Sequence, residues 1–238
     1  MNGNLGTNLR RIDRRLYVWA AVVASVIAFA GFARTYYLKG AFGTPELPPL
    51  VHVHGFVMTL WIATFVLQTT LVAIRRTDLH RRVGVAGALL ASLVLVVGLA
   101  TAINGAKRGS SPGPPPLVFL AVPLADMVVF AVLAGAGLYF RRRSDIHKRL
   151  MLLATLSILA AAFARIPLGF IRANPVVMAF GLTDLFVLAC VSYDTWARRR
   201  LHPAFGWGAL LIVASHPLRL MLAKTPAWMQ IATWLVRS

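Results

Sequence analysis

The sequence contains one cysteine, Cys190, set inside an apolar run. No disulfide and no cysteine-based metal site can therefore form within one chain. Charge is scarce as well: 13% of the 238 residues are charged against 58% hydrophobic, and mean hydropathy is +0.72. A soluble domain of this length needs more polar surface to stay dispersed. No stretch remains that is polar enough to form a second, soluble domain. Also missing are a glycine-rich phosphate loop, a nucleophile elbow and a His-Glu-x-x-His zinc helix, so the enzyme classes that carry those signatures have no foothold.

What the chain does have is a series of apolar runs about twenty residues long, the length needed to cross a hydrocarbon core of about 30 Å. In lipid every backbone polar group must be satisfied internally, so each run is expected to be helical. The predicted spans are 17–37, 50–74, 83–103, 117–140, 150–171, 176–196 and 204–223. Breakers mark the connectors: Gly43-Thr44-Pro45, Pro48-Pro49, Gly109 through Pro116, and Asn174-Pro175. After the last span, Thr225-Pro226 reads as an N-cap with proline at the first helical position. It opens an interfacial helix over 226–236, with Trp228, Ile231 and Leu235 on one face. The first run, with Ala28-Phe29-Ala30 near its end, is built like a secretory signal, but further spans follow and it is taken as a retained helix. The expected fold is an all-α, polytopic membrane helical bundle forming one domain over 1–238.

The formal charge of +18 invites comparison with nucleic-acid binders, which gather Lys and Arg on one accessible face. Here the basic residues sit in short clusters between apolar runs instead, and no nucleic-acid partner is expected. The clusters are Arg10, Arg11, Arg14 and Arg15; Arg75, Arg76, Arg81 and Arg82; Arg141, Arg142, Arg143, Lys148 and Arg149; and Arg198, Arg199 and Arg200. Sixteen of the twenty-five basic residues are in them, and seven spans put every cluster on one side. The positive-inside rule makes that side cytoplasmic, with a cytoplasmic N-terminus, a periplasmic C-terminus and contacts to anionic lipid headgroups.

Two of these turns repeat. Arg75-Arg76-Thr77-Asp78-Leu79-His80-Arg81-Arg82 matches Arg142-Arg143-Ser144-Asp145-Ile146-His147-Lys148-Arg149, with a weaker copy in Arg199-Arg200-Leu201-His202-Pro203. The chain is thus one leading helix plus three hairpins of common orientation, an arrangement of parallel repeats. Asp78 and Asp145, or Thr77 and Ser144, are expected to cap the following helices. The arginines are expected to hold the helix ends at the headgroups.

The polar residues inside spans form two layers. His80, His147 and His202 open three helices on the basic side and could together ligate a metal or haem, although histidines in basic turns also serve as anchors against lipid phosphate. Neighbouring arginines oppose a cation there. In the opposite half of the bilayer, five spans contribute His54, Asp126, Arg165, Asp184 and His216. Such residues are costly in lipid and nearly always face the bundle interior or a wet cavity. They define an expected buried polar pocket of Asp126, Arg165 and Asp184 with His54 and His216 as cofactor ligands, and Gln68 and Asn104 are expected to add to its lining. Arg165 and Asp184 have a simpler alternative as a structural ion pair. Pro217 should kink the last span.

His52-Val53-His54-Gly55, Gln68, Leu79-His80-Arg81-Arg82-Val83-Gly84, His147-Lys148-Arg149-Leu150-Met151 and Ser215-His216-Pro217-Leu218-Arg219 together resemble a group of bacterial multi-pass membrane proteins without an assigned activity. The resemblance covers nearly the whole chain and implies a bacterial inner membrane. A looser likeness is to membrane b-type cytochromes, whose histidines hold haem near each surface; it implies haem b or a transition metal. Here His80 and His147 stand at helix ends, which departs from that pattern. Three functions follow as expectations: a haem- or metal-binding redox protein, a small-molecule or proton-coupled transporter, and a non-catalytic subunit with membrane-protein partners.

Overall fold

The computed structural model describes residues 2–112 and 114–237, with side chains from residue 14 onward. The side chains of Arg10 and Arg11 and the whole of Gly113 lie outside the described residues. Among the described residues every regular element is a helix: α1 (Asn2–Phe32), a π-helical turn (Ala33–Tyr37), α2 (Pro49–Ala73), α3 (Thr77–Lys107), α4 (Pro116–Phe119), α5 (Ala121–Tyr139), α6 (Ser144–Ser157), α7 (Ala160–Phe163), α8 (Gly169–Ala173), α9 (Pro175–Arg198), α10 (Pro203–Leu222) and α11 (Pro226–Arg237). Seven stretches among them are long and apolar enough to cross a bilayer. The chain is an integral membrane protein built as a polytopic helical bundle.

Neighbour relations place one span in the middle. α1, α2, α3, α5, α10 and α9 pack in that order and close back on α1, while α6 touches α5, α10, α9 and α1. The Ser144–Phe163 span is accordingly 67% buried over its most apolar stretch, against 17% for α2. Small residues let the helices close on this centre. An added Cβ on Gly31 of α1 would sit 2.2 Å from the Ala162 carbonyl oxygen in α7, a backbone-to-backbone approach that only glycine permits. The ladder of buried Leu150, Leu152, Leu153, Leu156 and Leu159 fills the remaining space.

The predicted spans match within a few residues except the fifth. A helix over 150–171 was expected to run unbroken, but regular helix pauses at Ile158 and Leu159, resumes as α7 and ends at Phe163. Pro167 accounts for the stop: it offers no N–H to the ladder and pushes Ile166 out of the helical region. α10, by contrast, runs as one helix through Pro217. The basic turns differ from expectation too. Arg76 and Arg143 occupy the N-cap positions of α3 and α6 without side-chain caps, and Asp78 and Asp145 lie in the first helical turns. There they complement the positive helix end and reach its first N–H groups, those of Asp78 and Leu79 in α3 and of Asp145 and Ile146 in α6. Asp78 is clasped by Arg76 at 3.2 Å, in the open; burial is absent, and the carboxylate's hydrogen bond and charge hold the Arg76 guanidinium above its usual range.

Thr225 does cap α11, its Oγ1 accepting from Trp228 N at 3.2 Å. α11 turns Trp228 and Ala232 inward while Ile231 is 51% exposed, so Ile231 does not share the buried face. Trp228 Nε1 donates to the Leu117 carbonyl at 2.8 Å, fastening α11 over α4.

Candidate functional site

Polar side chains gather at both ends of the bundle, called here the basic end, where the arginine turns lie, and the far end. At the far end the core of the arrangement is three helices deep. α5 supplies Asp126, α9 supplies Phe180 and Asp184, and α10 supplies Ser215, His216 and Arg219. His216 and Arg219 fall on one face because residues three apart on a helix are neighbours. Both lie against the Phe180 ring: the imidazole stacks on it at 4.2 Å with 5° between planes, and the guanidinium carbon lies 5.1 Å from its centroid.

Arg219 is the partner of Asp126. The two form a buried ion pair, and Arg219 also donates to Ser215 Oγ at 2.7 Å and to the Ser215 carbonyl at 3.2 Å. His216 Nδ1 stands 2.9 Å from Asp184 Oδ1, an ion-pair contact without the alignment of a full hydrogen bond. Its Nε2 is buried and has no partner. The Asp126 carboxylate and Arg219 are within electrostatic reach of the ring. Asp184 is 23% exposed and His216 3%, so the carboxylate forms the outward side of the pair.

These contacts correct one expectation. Arg165 and Asp184 do not pair, since Asp184 faces His216. Arg165 is exposed, donates to the Ala161 carbonyl at 2.7 Å and stacks on Phe32 at 4.9 Å, so it does not belong to the buried cluster. His54 is half-buried with Nδ1 lacking a partner. Gly55 beside it admits the Tyr36 ring, whose hydroxyl donates to the His52 carbonyl at 3.1 Å, and Tyr37 bonds Thr59 at 2.8 Å. The π turn after α1 is what aims both tyrosines at α2. Trp61 is a core residue, edge-on to Phe130 at 5.0 Å. Asn104 uses its backbone carbonyl to end α3 at Arg108.

The arrangement fits poorly with a cofactor shared by His54 and His216. α2 packs against α1 and α3, and α10 against α5, α6 and α9, so the two imidazoles stand on helices that are not packed together. Among the described residues no three His, Cys, Asp or Glu side chains converge as a metal-binding group.

At the basic end Arg149 is fully buried instead of standing at the headgroups. Its Nη2 donates to both Asp194 oxygens at 2.8 Å, and Nε to Oδ2 at 3.1 Å, a bidentate clasp between α6 and α9. Arg198 adds a 2.8 Å bond to Asp194. The three turn histidines separate. His202 caps α10 through Ala204 N and lies 3.3 Å from Asp145. Partial burial, helped by the charge of Arg149, holds its imidazole below the usual histidine range, with Asp145 pulling the other way.

His80 and His147 do meet, edge to face with ring centroids 6.2 Å apart. His147 Nδ1 donates to the Gly137 carbonyl at 2.7 Å, which leaves Nε2 as an acceptor. Gln68 fixes the other ring and so lies at the basic end, away from the far-end lining it was expected to join. Its amide orientation is assigned from the backbone: with the oxygen turned to accept from Gly84 N at 3.0 Å, the nitrogen donates to the His80 carbonyl at 3.2 Å and to His80 Nδ1. His80 therefore carries its proton on Nε2. In that orientation the two rings hold complementary tautomers. In ¹⁵N-histidine-labelled protein, His80 is expected to show a protonated Nε2 and His147 a protonated Nδ1. Gln68→Leu should release His80 into a tautomer mixture without changing His147. A single tautomer at His80 in that variant counts against the assignment.

Arg219 and Asp194 are the buried charged partners that depth along the spans does not pick out. Both stand in the last turns of their spans, where charge is ordinarily explained by the interface. The signal is spacing: Arg219 follows His216 by three residues on the same face, and Arg198 follows Asp194 by four.

No family model, curated protein or solved structure matches the chain.

Proposed function

We propose that this membrane protein moves protons, linked to a small solute, through the far-end network of Asp184, His216, Asp126 and Arg219. The observation that carries the reading is His216: an imidazole 3% exposed, with a carboxylate at 2.9 Å on one nitrogen and no partner on the other. Ionisable groups placed at this depth in a bilayer protein mark ion and proton paths. Asp184 offers the more exposed station and His216 the buried one. Arg219 pairs with Asp126 and so holds the second carboxylate in place beside the imidazole. On this reading the basic end faces the cytoplasm, in accord with the clustering of arginine at that end.

The test is proton flux into proteoliposomes under an imposed potential, read with a trapped pH dye. His216→Ala and Asp184→Asn are each expected to slow flux about a hundredfold, the scale associated with losing a positioned proton-transfer group. Flux unchanged in both variants, with wild-type folding, removes the proposal.

A further inference from the structure

A groove of about 480 Å³ runs along the lipid-facing surface between α1 and α9. Its walls are graded. Arg15 stands at the basic end with Tyr193, Trp19 lies next, and Val23 and Phe186 lie deepest. Its floor is made of small residues, Ala20, Ala189 and Cys190, which is why a concavity exists where the two helices meet. From Arg15 to Val23 the helix rises about 12 Å at 1.5 Å per residue. That is most of one leaflet's share of a hydrocarbon core about 30 Å thick.

We propose that this groove holds one anionic phospholipid, with its phosphate on Arg15 and an acyl chain laid over Ala20, Ala189 and Cys190. Three observations choose this occupant. Arg15 is exposed and has no ion-pair partner among the described residues, so the mouth of the groove presents a cation. Trp19 and Trp196, 66% and 68% exposed, flank the mouth at the level where amphipathic rings meet headgroups, and Tyr193 lies 6.4 Å from Trp196. Below that level the lining is apolar and continuous, which suits a hydrocarbon chain and leaves a soluble anion nothing to bind. A phosphate paired with a planar guanidinium gains two parallel hydrogen bonds, so a headgroup with net negative charge is favoured over a zwitterionic one whose own ammonium competes.

The experiment is native mass spectrometry of protein released from nanodiscs of equal phosphatidylglycerol and phosphatidylcholine. The expected result is one retained phosphatidylglycerol per chain, at least tenfold over phosphatidylcholine. Arg15→Gln should remove the preference while leaving an unselective lipid bound. Ala189→Phe, which fills the floor, should remove retention altogether. Both variants are checked for wild-type thermal unfolding, so that loss of lipid is not loss of fold. Equal retention of the two lipids by the wild type overturns the proposal. So does a doubled mass that Ala189→Phe reduces to a monomer, because a second copy of the chain would then be the occupant.

Discussion

Asp194→Ala is expected to destabilise the protein by about 3–5 kcal/mol, the range for breaking a buried ion pair from one side. In a chain of this size that corresponds to a fall in Tm on the order of 10 °C. The reason lies in what is left behind. Arg149 is 1% exposed at its side chain and Asp194 is 0% exposed, so water cannot replace the lost carboxylate. The guanidinium would keep its bond to the Asp145 carbonyl at 2.6 Å and its place over Phe205 at 5.4 Å, but those neutralise no charge. Arg149→Met combined with Asp194→Leu should recover most of the loss, because a buried pair gives little net stability over apolar residues of similar volume. Asp78→Ala serves as the control: its pair with Arg76 is more than half exposed, and its removal should leave Tm unchanged. Scanning fluorimetry in detergent measures all three. A double variant as unstable as the single would show that the charges are needed for more than mutual compensation.

Among the described glycines, Gly31→Ala is expected to be the most damaging added methyl. The added carbon would lie 2.2, 2.7 and 2.8 Å from the oxygen, carbonyl carbon and Cα of Ala162, all backbone, so no rotamer change relieves it. α1 must move off the central span, with a penalty of about 1–3 kcal/mol or more. Gly208→Ala meets Leu153 Cδ1 at 2.4 Å, the far end of a flexible side chain, and should be milder. Gly135→Ala meets nothing within 4 Å and should be neutral or slightly stabilising, since alanine is the better helix former. Purified yield and Tm across the three variants give the order directly. Equal Tm values would mean that α1 does not pack on α7 as described.

How much of this could be seen in the residues alone depends on which interaction decides each feature. Span number and ends were legible because hydrocarbon thickness and backbone hydrogen bonding act on every residue in a run. Pro167 was visible as well, yet the apolar stretch around it outweighed it, and the fifth span was drawn too long. The Asp126, Asp184 and His216 positions stood out because charge inside an apolar run is rare. Their partners did not. His216 rather than Arg165 meets Asp184, and Arg219 meets Asp126, because the placement of α10 between α5 and α9 decides which charges touch, and neighbour order is not encoded in depth. The same holds at the basic end, where Arg149 resembles every other arginine of its cluster until α9 brings Asp194 beside it. Gln68 was assigned to the wrong end of the bundle because a lone amide in an apolar helix carries no sign of its partner.

The central position of the Ser144–Phe163 span has a consequence for how the protein is made. Domains emerge N-terminus first, so α1 to α5 enter the membrane before the helix they enclose has left the ribosome. Until then Gly31, Leu133 and the inner face of α5 have only lipid or one another for company. The fifth span then delivers Arg149 forty-five residues ahead of Asp194, and its charge must wait near the surface, reaching for headgroups. Synthesis of α9 lets that side chain sink inward, and the closing of the ring by α10 completes it. The last third of the chain is thus the clasp that turns a half-built hairpin stack into a folded protein.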